Sequence, residues 1–333
     1  MSDVVLVTGG AGFIGSHVAR ELVEAGRRVV ALDDLSGGFE ENLPPGVEFV
    51  RGSVADDGLV EKLFAERRFR YVYHLAAYAA EGLSHFIKRF NYTNNVIGSV
   101  TLVNAAVRHD VECFVFTSSI AVYGHNQLPM TEAMVPQPED SYGIAKYAVE
   151  LELAASQRLF GLPYVVFRPH NVYGENQNIG DRYRNVIGIF MNQIMRGEPL
   201  TVFGDGEQTR AFTHVADVAP AIAAAPHVAA ARNQVFNIGA DRAHTINRLA
   251  EVVSSAMGAR LQVRHLPARS EVVHAFSDHA KLERVFGRRA AVQLEEGIAR
   301  MAAWARAHGP RQSREFEEIE ITRNLPSAWR RTS

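Results

Sequence analysis

Short runs that are apolar at almost every position alternate with longer stretches whose apolar residues recur every three or four positions. Val4-Val5-Leu6-Val7, Val29-Val30-Ala31-Leu32, Val47-Glu48-Phe49-Val50, Tyr71 to Leu75, Phe114 to Thr117 and Tyr164 to Arg168 read as strands. Between them, 14–25, 59–65, 91–109 and 142–160 read as helices, with Val96, Val100, Val103 and Val107 on one face of the third. Strands apolar on both faces and separated by helices require a parallel sheet covered on both sides. The fold class expected is α/β, with a doubly wound parallel sheet.

After about residue 170 the rhythm changes. The stretch 174–183 is polar and reads as a surface loop, followed by a helix over 186–196 and a strand over 200–203 that ends in Gly204-Asp205-Gly206. A short strand at 236–239, a helix over 246–257, a strand over 261–265 and a late helix over 295–307 complete the pattern. These elements suit a smaller C-terminal lobe over the sheet's C-terminal edge. The expected division is a mainly dinucleotide-binding domain over 1–170, a mainly substrate-binding lobe over 171–310 with chain crossings between the two, and a charged C-terminal tail over 311–333.

A length of 333 residues leaves room for two such units. Lysine plus arginine number 35 and aspartate plus glutamate 37, a formal charge of −2, which weighs against a nucleic-acid partner. Cys113 is the one cysteine, so neither an intramolecular disulfide nor a cysteine metal cluster can form. Its apolar surroundings predict a buried, inert thiol. The first residues lack the basic-then-apolar order of a signal peptide. The most apolar long run, 214–231, is broken by Asp217, Pro220 and Pro226, unlike a membrane span. A soluble cytoplasmic protein with no membrane partner is expected.

The first strand runs into Thr8-Gly9-Gly10-Ala11-Gly12-Phe13-Ile14-Gly15. Gly9, Gly12 and Gly15 permit a tight turn and close approach of backbone to ligand. Phe13 and Ile14 open a helix whose N-terminus offers free N–H groups to a pyrophosphate. Placed between a strand and a helix in a βαβ unit, the triplet predicts dinucleotide binding. Asp33 ends the second strand, where a carboxylate accepts from adenosine ribose hydroxyls and repels a 2′-phosphate, which favours NAD over NADP. Asp56, after the third strand, is assigned to the adenine, and Asp57 to a helix cap.

Tyr142 and Lys146 lie one helical turn apart, on one face. A phenol of reference pKa about 10 is a poor base at neutral pH. A nearby ammonium and a nicotinamide cation are expected to lower it, so that Tyr142 removes a proton from a substrate alcohol as hydride leaves the same carbon. Lys146 could also hold the nicotinamide ribose. Ser118 and Ser119 end the fifth strand at the ligand-binding edge, with Ser119 the better donor to the substrate oxygen.

These residues, with His74-Leu75-Ala76-Ala77, Asn95, Arg168-Pro169-His170-Asn171-Val172-Tyr173-Gly174, the stretch 204–210 and His214-Val215-Ala216-Asp217-Val218, resemble the extended short-chain dehydrogenase/reductase family. The likeness is greatest to its NAD-dependent nucleotide-sugar epimerases of UDP-glucose/galactose 4-epimerase type. The resemblance implies a Rossmann-type sheet, NAD as cofactor, a UDP-sugar substrate and a homodimer. It implies Ser119, Tyr142 and Lys146 as the catalytic set. Leu75, Ala76, Ala77, Asn95 and Thr117 would form the cofactor walls, with Tyr123 packing beside the nicotinamide. It assigns Ser118, Ser119, Asn171, Arg210, Arg269, Glu271 and Ala275 to the substrate, Ala275 at a position whose side chain gates the sugar's C2 substituent. Asp217 would fix its loop rather than touch ligand. Val100, Val149 and Leu153 fit the helix faces with which the family dimerises.

The departures choose the reaction. Ile120 and Ala121 stand where the family's 4,6-dehydratases carry an acidic pair and its decarboxylases a glutamate. A 4-epimerase needs no such acid. Alternatives are a UDP-glucuronate 4-epimerase, weakened by Asn171 where those enzymes tend to carry threonine, and a reductase. A dehydratase acting elsewhere on the ring could use Glu81. Arg182 and Arg184, in a polar loop, are candidates for sugar or nucleotide contacts.

Overall fold

Seven parallel strands form the central sheet of the computed structural model, which describes residues 3–125, 128–181, 183–268, 274–288, 290–312, 316, 319–326 and 329. They are β1 (Val4–Thr8), β2 (Arg28–Asp33), β3 (Glu48–Arg51), β4 (Tyr71–His74), β5 (Cys113–Thr117), β6 (Tyr164–Pro169) and β7 (Gln234–Ile238). Their order is β7-β6-β5-β4-β1-β2-β3, with every neighbour parallel. The order reverses between β1 and β4, so the carboxyl ends of these strands flank the crevice where doubly wound sheets bind ligands.

Every residue of β4 and β5 is buried, which leaves no polar face for water. On one side, Val5, Val7, Tyr73, Val115 and Phe167 pack with Val18 and Leu22 of the helix Phe13–Glu24 and Ile222 of the helix Ala219–Ala224. On the other, Leu6, Val72, Phe114 and Val166 meet Phe64 of the helix Asp57–Arg67, Leu102 of the helix Gly98–Arg108, and Val149 and Leu153 of the helix Ser141–Phe160. Val149 and Leu153 are therefore core residues and not the dimer contacts expected of them. Cys113 is buried in β5, and burial pushes its thiol up to about 12.

The long helix expected over 91–109 is interrupted. A short helix, Lys88–Tyr92, passes through a π-helical turn, Thr93–Ile97, into Gly98–Arg108. Such widened turns re-aim side chains, and Asn95 lies within this one.

The strand expected at 236–239 joins the main sheet as β7, beside β6, rather than the smaller lobe. Phe236 and Ile238 look like any buried strand, and nothing local in the sequence names β6 as their partner. In the lobe itself, the helices Val186–Met195, Ile246–Ala256 and Leu294–His308 enclose Phe190, Met191, Leu249, Val253, Ile298 and Met301. The strand Leu200–Phe203 pairs with Val263–Leu266, and Thr209–Ala211 lies between Ala243–Thr245 and His274–Ala275. No helix among the described residues is long and apolar enough to cross a membrane.

Candidate active site

A cleft of about 1740 Å³ follows the carboxyl edge of the sheet from Asp33 to Tyr142 and opens against the smaller lobe. Its floor begins at the glycine turn. Gly9 has φ +68°, and a Cβ there would lie 2.7 Å from the backbone nitrogen of Ala76. A Cβ on Gly15 would lie 2.0 Å from the Gly9 carbonyl oxygen. Both positions thus exclude a side chain, and Gly12, Phe13, Ile14 and Gly15 line the cleft. No side chain caps the helix that begins at Phe13, so its first N–H groups remain available to an anion.

Asp33, the last residue of β2, is buried at the cleft wall and accepts the N–H groups of Ala11 at 3.1 Å and Leu35 at 2.8 Å. Burial pushes its carboxyl above the usual range. Leu75, Ala76 and Ala77 form the facing wall after β4. Two expected cofactor residues have other duties. Asp56 is the N-cap of the helix Asp57–Arg67, accepting Leu59 N–H at 3.0 Å, and it is absent from the cleft lining; Asp57 is the first helical residue, not the cap. Asn95 is buried behind the wall, where its amide accepts Tyr78 N–H at 2.8 Å and donates to Tyr78 O at 3.1 Å and Asn91 Oδ1 at 2.7 Å. It therefore shapes the wall without facing the cleft.

At the other end stand Tyr142, Lys146, Ser119 and Thr117. Asp140 caps their helix by accepting Gly143 N–H at 2.8 Å, which fixes Tyr142 in the first turn. Lys146 Nζ donates to the Thr117 carbonyl at 2.7 Å and lies 5.8 Å from the centre of the Tyr142 ring. Burial pushes the Lys146 ammonium down to about 7, opposed by Glu150. The Tyr142 hydroxyl shares a hydrogen bond with Ser119, which favours the phenolate, but burial outweighs it, and Glu81 and Asp140 add to the upward push. In the protein alone, burial thus opposes the lowering of this phenol expected of Lys146.

Ser118 lines the cleft but is buried, and its hydroxyl donates to Glu150 Oε1 at 2.5 Å, which supports the strand end. Glu150 in turn receives Arg168 Nε at 2.9 Å and Nη2 at 2.5 Å. Arg168 also donates to the Tyr123 hydroxyl at 2.7 Å, and that hydroxyl to Asn237 at 2.8 Å. Tyr123 is wholly buried in this network and does not line the cleft beside the nicotinamide position. Glu150 and Arg168 hold the Tyr142 helix to β6; Arg168 is named from the sequence only within the runs 164–168 and 168–174, and Glu150 is not singled out there. The available signal was a carboxylate one turn beyond Lys146 on the same helix.

On the lobe side, Asn171, Arg210 and Ala275 all line the cleft. Asn171 has φ +41° and donates to Ala211 O at 3.3 Å. Ala275 is paired in register with Arg210, so the two sit side by side on adjacent strands. Arg269 and Glu271 lie outside the described residues, as does Arg182. Arg184 lines the cleft, pairs with Asp181 at 2.6 Å and lies 5.0 Å over the Tyr78 ring. Arg264, an exposed cation on the cleft wall, was not anticipated. Asp217 accepts Val292 N–H at 3.0 Å, which ties its loop to the late helix. Ile120 and Ala121 form the wall next to Ser119.

A doubly wound sheet, a glycine turn at a helix N-terminus, a buried carboxylate at the end of β2 and a Tyr–Lys pair lie along one cleft, the arrangement of an enzyme that uses a dinucleotide for reversible oxidation. The model of the NAD dependent epimerase/dehydratase family matches residues 5–239. A UDP-glucose 4-epimerase of Mycolicibacterium smegmatis is 34% identical over 309 residues, covering 90% of this chain and 98% of the relative. Among solved structures, the UDP-glucose 4-epimerase of Thermotoga maritima with UDP-glucose superposes with a TM-score of 0.86 at 36% identity, covering 92% of this chain and 99% of that one. A UDP-N-acetylglucosamine 4-epimerase from Methanobrevibacter ruminantium, in complex with UDP-N-acetylmuramic acid, gives 0.85 at 31%, covering 92% and 100%. The chain belongs to the NAD dependent epimerase/dehydratase family, and its cofactor is NAD. The cleft fits that cofactor: beyond the glycine turn and Asp33, the buried Thr117 Oγ1 has no hydrogen-bond partner among the described residues, which leaves a hydroxyl at the cleft wall for a bound group.

Proposed function

We propose that the chain is a UDP-sugar 4-epimerase that interconverts UDP-glucose and UDP-galactose through a transient 4-keto sugar and also accepts UDP-N-acetylhexosamines. The observation that carries this reading is the wall beside Ser119, where Ile120 and Ala121 present no acid or base near Tyr142. Nothing on this wall diverts the 4-keto sugar from reduction back to an alcohol.

NAD supplies a hydride acceptor that is regenerated within one turnover, and its positive charge in the oxidised form favours the phenolate. Tyr142 takes the proton of the sugar 4-hydroxyl and returns one to O4 after the keto sugar has turned over. Ser119, hydrogen-bonded to Tyr142, donates to O4 and relays that proton. Lys146 holds the ribose side of the cofactor and completes the charge around the phenol. Arg210 and Arg264 suit the diphosphate, since guanidinium groups bind phosphate oxygens in pairs. Ala275 leaves room beside C2.

Glu81 favours a second reading. It lies in the cleft close enough to Tyr142 to raise that hydroxyl, and a carboxyl there could expel a hydroxyl from the keto sugar. Incubation with UDP-glucose, UDP-N-acetylglucosamine and UDP-glucuronate in separate tubes, with products read by NMR, tests the assignment. Loss of water would replace epimerisation by dehydration through Glu81. Exclusive turnover of the glucuronate would overturn the substrate and keep the mechanism. Action in the cytoplasm as a homodimer completes the proposal, supported by the exposed Ile97, Ile144 and Leu151.

A further inference from the structure

The last part of the chain reaches the cleft. After the helix Leu294–His308, Arg311 exchanges backbone bonds with the Asn192 amide at 3.2 and 3.3 Å. Its guanidinium crosses to the dinucleotide side, pairing with Glu41 at 2.7 Å and lying 4.0 Å over the Phe39 ring. Phe316 then packs edge-on to Phe90, with ring centres 4.8 Å apart, and tilted to Tyr78 at 5.5 Å. Glu320 and Ile321 donate their N–H groups to Phe86 O at 2.9 and 3.1 Å, while the Glu320 carboxylate accepts Arg89 and Phe90 N–H at 2.8 Å each. Trp329 is buried edge-to-face against Tyr183 and Phe86. Asn324, Pro326 and Trp329 line the cleft.

These contacts fasten the segment to both lobes and leave an aromatic ring at the cleft rim. The ring's place along the cleft is set by Gly82, where a Cβ would lie 3.2 Å from Trp329. Gly82 lies in the short helix Glu81–Ser84, whose Ser84 hydroxyl accepts Tyr142 N–H at 3.1 Å. Trp329 therefore stands at the end of the cleft where the Tyr142 helix begins. An indole offers a rigid apolar surface against which the C–H face of a pyranose packs, and a rigid wall limits what a substituent can occupy.

We propose that the described residues 311–312, 316, 319–326 and 329 form a strap across the cleft and that Trp329 is a specificity-determining wall of the sugar subsite. The inference rests on the UDP-sugar reading of the cleft, and its test separates the two. The chain has two tryptophans, Trp304 and Trp329, so Trp304→Phe leaves Trp329 as the sole indole emitter. Calorimetry and emission are followed together as UDP-glucose, and separately UDP, is added to the NAD-loaded protein. The expected result is an emission change with UDP-glucose and none with UDP at saturation. Bound UDP-glucose with unchanged emission overturns the inference alone. Absence of binding by any nucleotide sugar overturns the proposed function and the inference with it. In turnover, Trp329→Ala is expected to raise KM for UDP-glucose and to shift the kcat/KM ratio toward the bulkier UDP-N-acetylglucosamine by about tenfold, with Trp329→Phe restoring the original ratio. An unchanged ratio contradicts the assignment. If Trp329→Ala fails to fold, the emission titration decides by itself.

Discussion

Lys146 carries its charge at one of the most desolvated points of the molecule, and the consequences are measurable. Its folded pKa is depressed from 10.5 to about 7, so the unfolded chain binds more protons between those values. Stability contributed by this site therefore rises with pH from about 7 to about 10.5, and the full penalty is present below about 7. Lys146→Met is expected to raise stability near neutral pH by on the order of a few kcal/mol while abolishing turnover. Urea unfolding of both proteins at about pH 7 and about pH 10 checks the sign, because the advantage of the variant must shrink at the higher pH. Tyr142→Phe removes one oxygen from the same pocket. It should retain NAD and UDP-sugar affinity while turnover falls by about a thousandfold or more, which steady-state kinetics with calorimetry will show. Tyr142, Lys146, Gly9, Gly12, Gly15 and Asp33 were legible in the sequence because each signal lies within one strand–turn–helix segment. Asp56 caps the helix that starts at Asp57, a role that a carboxylate after a strand announces no differently from the adenine contact expected of it.

The helix Ser141–Phe160 and β6 are joined by the buried ion pair of Glu150 and Arg168, with both side chains nearly inaccessible. Glu150→Ala would leave the guanidinium unpaired in the core and is expected to cost about 3–5 kcal/mol, read as a lower urea midpoint. It should also release Ser118 from its only described side-chain partner. This network was invisible in the sequence, since its members meet only after β6 has paired with β5. The same limit explains β7. Apolar runs announced strands reliably, but the partner of 234–238 is fixed by tertiary pairing with β6. Strands of two or three residues in the lobe, such as His274–Ala275, are too short for any periodicity to show. The π-helical turn at Thr93–Ile97 was likewise hidden, because its apolar spacing matches that of an ordinary helix.

At the scale of the whole molecule, Ile97, Ile144 and Leu151 are exposed on the two helical segments whose inner faces hold Leu102, Val149 and Leu153. Exposed apolar side chains gathered on one face mark an interaction surface, and the homodimer proposed above would cover them. Leu151→Asp is expected to give a monomer in sedimentation at micromolar concentration where the unaltered chain gives a dimer; a stable monomer of the unaltered chain would end that proposal. The strap adds a second whole-molecule feature that composition concealed. The tail reads as charged, yet Phe316, Ile319, Leu325 and Trp329 join Ala80, Leu83 and Ile87 in one apolar cluster.

In the proposed reaction the 4-keto sugar formed at C4 is only reduced, never dehydrated. This is tested most directly by following UDP-glucose with the enzyme and a catalytic amount of NAD by proton NMR, while absorbance reports free NADH. The account requires UDP-galactose to appear up to a constant ratio, with no free NADH and no deoxy product. A 4-keto-deoxy sugar, or NADH released in step with sugar consumed, would contradict it.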